Sequence, residues 1–182
     1  MRKPVTAVRV EEFMKALGSG VKRPARIFLV GGATAVLLGW RDSTIDIDLK
    51  CVPERDDILR QLSALKESLE INIELASPDN FIPELPGWED RSQFIRQEGK
   101  LTFLHYDYYA QALAKIERGH EADLRDVQQM IKSELIDPIR LLELFSAIEN
   151  NIAKYPALDA ASFRRAVELF VSNTLKGKTN KS

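Results

Sequence analysis

Cysteine and histidine are scarce in this chain, and their scarcity excludes two kinds of stabilising site. The 182 residues include one cysteine, Cys51, and two histidines, His105 and His120. A single cysteine forms no disulfide within the chain, which is typical of proteins of the reducing cytosol. A structural zinc site would need all three residues and a carboxylate, at spacings that no common zinc module has. We therefore predict a cytoplasmic protein whose fold depends on neither disulfides nor zinc.

Long apolar runs and an excess of one charge are also missing. No uninterrupted apolar stretch reaches the length of about 18 residues that a transmembrane helix needs, so we expect no membrane association. The formal net charge is −1, and a polynucleotide partner would therefore need a local basic patch. With 45% hydrophobic and 29% charged residues, the composition is that of an ordinary globular protein.

Apolar periodicity predicts an α/β first part and an all-helical last part. The first helix is predicted to end at the Gly-Ser-Gly of residues 18–20, and Asp137-Pro138 is predicted to start a later helix. The apolar faces of the last two helices either pack on the α/β core or bind a partner. The predicted helices are 5–17, 33–40, 55–69, 108–118, 121–133, 138–153 and 159–175, and the predicted strands are 26–30, 44–52, 71–75, 94–96 and 101–106.

Two aspartates on the second predicted strand form the most suggestive pair of residues. Asp46 and Asp48 are two positions apart, so their side chains share one strand face, with Ile45 and Ile47 on the other. Two such carboxylates suit one divalent cation, because Mg²⁺ favours carboxylate and phosphate oxygens. Lys50 we place on the face opposite to the aspartates.

A glycine pair precedes these aspartates, between a strand and a helix. At Gly31 and Gly32 the backbone N–H groups can approach a phosphate without interference from a Cβ atom. Thr34 in the first helical turn is placed to reach a phosphate oxygen, and Ser43 or Thr44 lies at the rim of the same pocket. The alternative is a tight turn with Thr34 as an ordinary helix residue.

Residues 29–49, LVGGATAVLLGWRDSTIDIDL, resemble the signature of the nucleotidyltransferase superfamily. Thirteen residues separate Gly32 from Asp46, a spacing typical of that glycine turn and acidic strand. Residues 112–127, ALAKIERGHEADLRDV, resemble the small DUF6036-type nucleotidyltransferases, relatives of the AbiEii-like toxins of toxin–antitoxin pairs. The resemblance covers about residues 26–133.

This resemblance implies a fold and a division of the chain. The fold class is α/β (α+β), with a small mixed sheet flanked by helices. Residues 1–135 are predicted to form the nucleotidyltransferase core, and residues 136–182 a helical extension packed on it.

The resemblance also implies a set of site residues. Asp46, Asp48 and a third carboxylate, for which Glu74 has the matching strand position, would bind Mg²⁺ or Mn²⁺ and activate the acceptor hydroxyl. Gly31 and Gly32 would bind the phosphates of a nucleoside triphosphate. The further predicted contacts are Thr34, Ser43 and Lys115 to the phosphates, with Asp123, Asp126 and Arg118 as accessory residues.

The implied reaction is transfer of a nucleoside monophosphate from a triphosphate to a hydroxyl group. As in the toxin relatives, the acceptor would be RNA, such as a tRNA 3′ end, or a protein, and a cognate antitoxin would be a partner. A second hypothesis keeps this reaction but has a small-molecule acceptor of the aminoglycoside type. A third hypothesis is a triphosphate-binding regulatory module with little or no catalysis.

Overall fold

Apart from a short helix at Trp88–Arg91 that was not predicted, the helices and strands follow the predicted order along the chain. In the computed structural model, which describes residues 2–179, the helices are α1 (Ala7–Gly20), α2 (Gly31–Leu37), α3 (Asp56–Ser68), α4 (Trp88–Arg91), α5 (Tyr108–Arg118), α6 (Glu121–Lys132), α7 (Pro138–Ile148) and α8 (Ala160–Thr179). The strands are β1 (Ala25–Val30), β2 (Asp46–Val52), β3 (Asn72–Leu75), β4 (Gln93–Glu98) and β5 (Leu101–His105). Short 3₁₀ segments occupy Pro78–Asn80 and Glu149–Lys154.

The contacts between residues divide the chain into two compact units. The first unit comprises Met1–Ser77 and Ser92–Tyr106, and the second comprises Pro78–Arg91 and Asp107–Ser182. This division differs from the predicted boundary after residue 135, which stays a prediction.

One mixed sheet organises the first unit. Among the described residues its strand order is β3-β2-β1-β5-β4. β1 pairs antiparallel with β2 and parallel with β5, whereas β2 and β3 are parallel and β4 and β5 are antiparallel. The predicted α/β class with a mixed sheet and flanking helices is therefore confirmed.

The apolar core of this unit lies on one face of the sheet. Alternate strand residues enter it, with Ile47 and Leu49 fully buried on β2. Helices α1, α2 and α3 pack over these strands. The core includes Phe13, Met14, Ile27, Leu29, Val36, Ile58, Leu62 and Phe103. Because strand side chains alternate, the polar residues of β2 lie on the opposite face.

Several predicted boundaries differ from the structure by a few residues, and two of the differences have an explanation in packing. The helix α1 does not end before the Gly-Ser-Gly of residues 18–20 but includes it, because buried Gly18 allows the helix to pack against Glu98 of β4. The strand β2 begins at Asp46 rather than Thr44, which instead bridges to Val5. Ile45 is consequently 80% exposed and not part of the apolar face.

The second unit is built from helices, and α7 starts at Pro138 as its sequence predicts. The side chain of Asp137 accepts hydrogen bonds from the N–H groups of Ile139 and Arg140, both at 2.9 Å, and so caps α7. Helices α7 and α8 pack on one another through Phe145 and Phe163, whose rings meet edge to face with their centroids 4.9 Å apart. In the described part of the chain no helix is long and apolar enough to cross a membrane.

Candidate active site

Three carboxylates meet on the polar face of the sheet in the first unit. Asp46 and Asp48 share that face of β2, and the parallel pairing with β3 sets Glu74 directly opposite Asp48. Each of the three offers an oxygen atom, and these atoms all lie within 4.8 Å of one another. Asp46 and Asp48 are half-buried, and Glu74 is exposed. The register of two short strands therefore brings Glu74 to the two aspartates, which lie 28 and 26 residues earlier in the sequence.

The electrostatics of this group suit a divalent cation. Partial burial raises the pKa of Asp46 above its usual value, and the negative charge of Glu74 raises it further. Carboxylates this close repel one another unless a proton or a cation lies between them. Mg²⁺ and Mn²⁺ take oxygen ligands of this kind, so the residues fit either ion.

Gly31 and Gly32, the first two residues of α2, adjoin the acidic group and are called the glycine turn. Gly31 adopts a φ of +60°, which L side chains rarely adopt, and a Cβ atom on it would lie 3.3 Å from Asp48 Oδ2. A Cβ atom on Gly32 would lie 2.0 Å from Thr44 Oγ1. Both positions thus require glycine, the first for its conformation and the second for close packing. The backbone of the turn can approach a group bound at Asp48.

Thr34 lies behind this turn. Its side chain is fully buried, and its hydroxyl oxygen is 3.1 Å from His105 Nδ1 and 3.3 Å from the carbonyl oxygen of Leu29. Burial lowers the pKa of His105 to about 4, so this histidine is neutral near pH 7. These contacts stabilise the junction of α2 with β1 and β5. We therefore leave Thr34 out of the proposed phosphate site.

The other two predicted residues near the strand differ in position. Ser43 is exposed in the loop before β2, where a ligand has access to it. Lys50 was predicted on the face opposite to the aspartates, and this prediction is wrong. Residues at even spacing on a strand share a face, and Lys50 is half-buried on the same side as Asp46 and Asp48.

The remaining predicted residues come together in the second unit. Lys115 on α5 is 5% exposed and lies 2.7 Å from Asp126 and 3.1 Å from Asp123, both on α6. Arg118, largely exposed, donates to both carboxylate oxygens of Asp123 at 2.8 Å. Burial alone would raise the pKa of Asp123, but Arg118 and Lys115 outweigh it and the pKa is lowered. These contacts form a buried ion-pair cluster that ties α5 to α6.

One residue at the acidic group had no role in the sequence-based prediction. The side-chain amide of Asn72 donates a hydrogen bond of 2.8 Å to Glu74 Oε1. The sequence places residues 72 and 74 on one strand face, which makes a contact between them possible. The spacing alone does not predict the hydrogen bond, which is seen in the structure.

Comparison with protein families gives a match over most of the chain. The DUF6036 family, described as a nucleotidyltransferase of unknown function, matches residues 6–174. The chain belongs to this family. The comparisons with curated proteins and with solved structures give no match. The predicted family is therefore confirmed, and membership of DUF6036 brings with it a nucleotidyltransferase fold but neither a substrate nor an acceptor.

Proposed function

We propose that this DUF6036 protein is a metal-dependent nucleotidyltransferase that moves a nucleoside monophosphate from a nucleoside triphosphate to a hydroxyl group. The observation that carries the proposal is the approach of Asp46, Asp48 and Glu74 to within 4.8 Å, with Gly31 against Asp48. The three carboxylates are metal ligands, and the glycine turn is the phosphate-binding segment beside them.

The roles of the residues follow from the bonds that change. The acceptor oxygen attacks the α-phosphorus, the bond to the bridging oxygen breaks, and pyrophosphate leaves with that electron pair. Glu74, the most exposed of the three, takes the hydroxyl proton. Asp46 and Asp48, together with Glu74, would hold the cation, which would supply positive charge to the attacking and leaving oxygens.

The phosphate contacts are assigned to the glycine turn and its rim. The backbone N–H groups of Gly31 and Gly32 contact the β- and γ-phosphates, and exposed Ser43 adds a hydroxyl donor. For Lys115, a phosphate contact stays a prediction drawn from resemblance, as do the accessory roles of Asp123, Asp126 and Arg118. The ion pairs account for the burial of Lys115, Asp123 and Asp126 without a ligand.

The acceptor is proposed from resemblance rather than from a contact in the structure. We propose RNA or a protein, the acceptors implied by resemblance to toxins, with an antitoxin as cognate partner. A small-molecule acceptor would use the same three carboxylates, and the transfer experiment distinguishes it from an RNA or protein acceptor. A regulatory module that binds the triphosphate without transfer is the contrasting case.

The test measures transfer of a radioactive α-phosphate from a nucleoside triphosphate to an acceptor. Wild-type protein is incubated with Mg²⁺ and each α-³²P nucleoside triphosphate in turn, with total RNA, lysate protein or aminoglycosides as acceptor. We expect labelled product with one acceptor class, and at least about a hundred-fold less with Asp46→Asn or Asp48→Asn, since even indirect partners of a metal ion contribute 10–100-fold.

The control for this test is Asp42→Asn. Asp42 is exposed in the loop before β2, so the substitution removes the same charge close to the site without removing a proposed ligand. It should retain transfer within about two-fold. Equal transfer by Asp48→Asn and Asp42→Asn would overturn the proposal, and triphosphate binding without transfer in any mixture would favour the regulatory module.

A further inference from the structure

The Glu74 carboxylate is held by a neighbour on its own strand. Glu74 lies on β3, a four-residue strand at the edge of the sheet, and its side chain is exposed. An exposed glutamate has three side-chain torsions and populates many rotamers. The hydrogen bond of 2.8 Å from Asn72 Nδ2 to Glu74 Oε1 selects one of them.

The amide of Asn72 is itself oriented from the other side. Arg2 Nη1 donates to Asn72 Oδ1 at 3.1 Å and to the carbonyl oxygen of Ile71 at 3.1 Å. Its Nη2 donates to Glu67 Oε1 at 2.8 Å. Because the guanidinium occupies the oxygen side of the amide, the NH₂ group faces Glu74. A chain of contacts therefore runs from Arg2 through Asn72 to Glu74.

We propose that Asn72 is a positioning residue that orients the Glu74 carboxylate towards Asp46 and Asp48. This inference rests on the function proposed above. Asn72 satisfies Oε1 of Glu74 and leaves Oε2 to the cation or the acceptor proton. Partners of this kind hold a metal ligand in its binding geometry before the ion arrives. Arg2 acts one step further out, by fixing the amide.

The experiment measures Mn²⁺ binding to the purified 182-residue chain, without nucleotide, from the electron paramagnetic resonance signal of free Mn²⁺. The variant Asn72→Leu keeps the approximate size of the side chain and removes the donor. We expect its Kd for Mn²⁺ to rise about ten-fold, the lower end of the range for indirect partners of a metal. Arg2→Met should raise the Kd in the same direction but by less.

The matched control is Gln97→Leu on β4, at the opposite edge of the sheet. Gln97 also makes side-chain hydrogen bonds, to the carbonyl oxygen of Gly99 at 3.1 Å and from Thr102 at 2.7 Å. Its replacement tests for a general effect of losing an edge-strand amide. We expect wild-type Mn²⁺ affinity from Gln97→Leu, with both variants equally folded by circular dichroism.

A double-substitution cycle separates positioning from a merely structural effect. In a Glu74→Ala background, Asn72→Leu should leave the Kd for Mn²⁺ unchanged, because the carboxylate that Asn72 orients is absent. An equal loss in both backgrounds would overturn the positioning role.

Failure of this inference is distinguishable from failure of the proposed function. Mn²⁺ binding that weakens in Asp48→Asn but not in Asn72→Leu overturns the inference and leaves the proposed function intact. Wild-type protein that binds no Mn²⁺ overturns both.

Discussion

Asp46 experiences two unfavourable effects at neutral pH, partial burial and the charge of Glu74, and both raise its pKa. A carboxyl group with a folded pKa above its unfolded value stabilises the fold below the unfolded pKa. That contribution is lost as the pH rises through the folded pKa. The ionised Asp46 therefore destabilises the protein at pH 7 unless a cation is bound.

Asp46→Asn should accordingly raise the Tm of EDTA-treated protein at pH 7. We expect an increase of about 2 °C or less, because solvent screening of this partly exposed group keeps the effect below the roughly 1 kcal/mol that shifts the Tm of a chain of this size by about 2–4 °C. The gain should disappear as the pH falls through the raised pKa towards the ordinary value of 3.8. Differential scanning calorimetry across this pH range makes the measurement, with Asp42→Asn as control. A lower Tm at pH 7 for Asp46→Asn alone would contradict the prediction.

Gly32 is required for steric reasons that can be tested independently of any ligand. A Cβ atom there would lie 2.0 Å from Thr44 Oγ1 and 2.6 Å from Thr44 Cβ, so one of the two segments must move. We expect Gly32→Ala to lower the free energy of unfolding by about 1–3 kcal/mol, as in other overpacked sites. Urea denaturation measures the change.

Two companions of Gly32→Ala make the result specific. Thr44→Gly in the same chain removes the colliding atoms and should recover part of the loss. Gly177→Ala should be neutral or slightly stabilising, because a Cβ atom at Gly177 meets nothing within 4 Å. Equal effects of Gly32→Ala and Gly177→Ala would show that packing against Thr44 is not the cause.

At the scale of elements, α5 and α6 are joined by a buried ion-pair cluster that has a structural explanation of its own. Lys115 is 5% exposed and faces Asp123 and Asp126. Removing the buried ammonium group of Lys115 would take this partner from Asp126 in a poorly solvated place. We expect Lys115→Met to lower the free energy of unfolding by about 3 kcal/mol or more, measured by urea denaturation.

Arg125→Met on α6 is the control for that experiment. Arg125 is paired with Glu121 one helical turn away, and both side chains are exposed, so its loss should change stability by less than about 0.5 kcal/mol. If Lys115→Met is as stable as Arg125→Met yet has lost nucleotidyl transfer, the phosphate role is favoured over the structural one.

Some of the helices and strands can be predicted from the sequence, and others depend on packing between distant segments. Alternation of apolar residues predicted β2 and helical apolar periodicity predicted α3, because one face of each is buried, and the aspartate pair followed from the period of a strand. The extension of α1 through Gly18 was missed, since packing against Glu98 outweighs the low helix propensity of glycine. Likewise, the approach of Glu74 to Asp48 depends on strand register, which a local pattern does not contain. Glu74 was chosen by resemblance.

For the molecule as a whole, the lone cysteine provides a probe of unfolding. Cys51 lies in the core of the first unit and is 4% exposed. Burial, with a smaller contribution from Glu54, raises the pKa of its thiol to about 12. The thiolate is the reactive form, so both accessibility and ionisation protect the folded chain from alkylation.

Iodoacetamide should therefore label Cys51 only when the protein opens. At pH 8 we expect labelling at least about a thousand-fold slower than in 8 M urea, because the open state of a stable domain is populated at about one part in a thousand or less. Across a urea series, labelling rates should rise together with the loss of helical signal in circular dichroism. Ser63→Cys in a Cys51→Ala background is the matched control: residue 63 is exposed on α3 of the same unit, so its thiol should react at the unfolded rate in native buffer. Rapid labelling of Cys51 in native buffer would mean that the sheet opens around β2 without global unfolding, and the rigid register on which the acidic group depends would then be lost in the same motion.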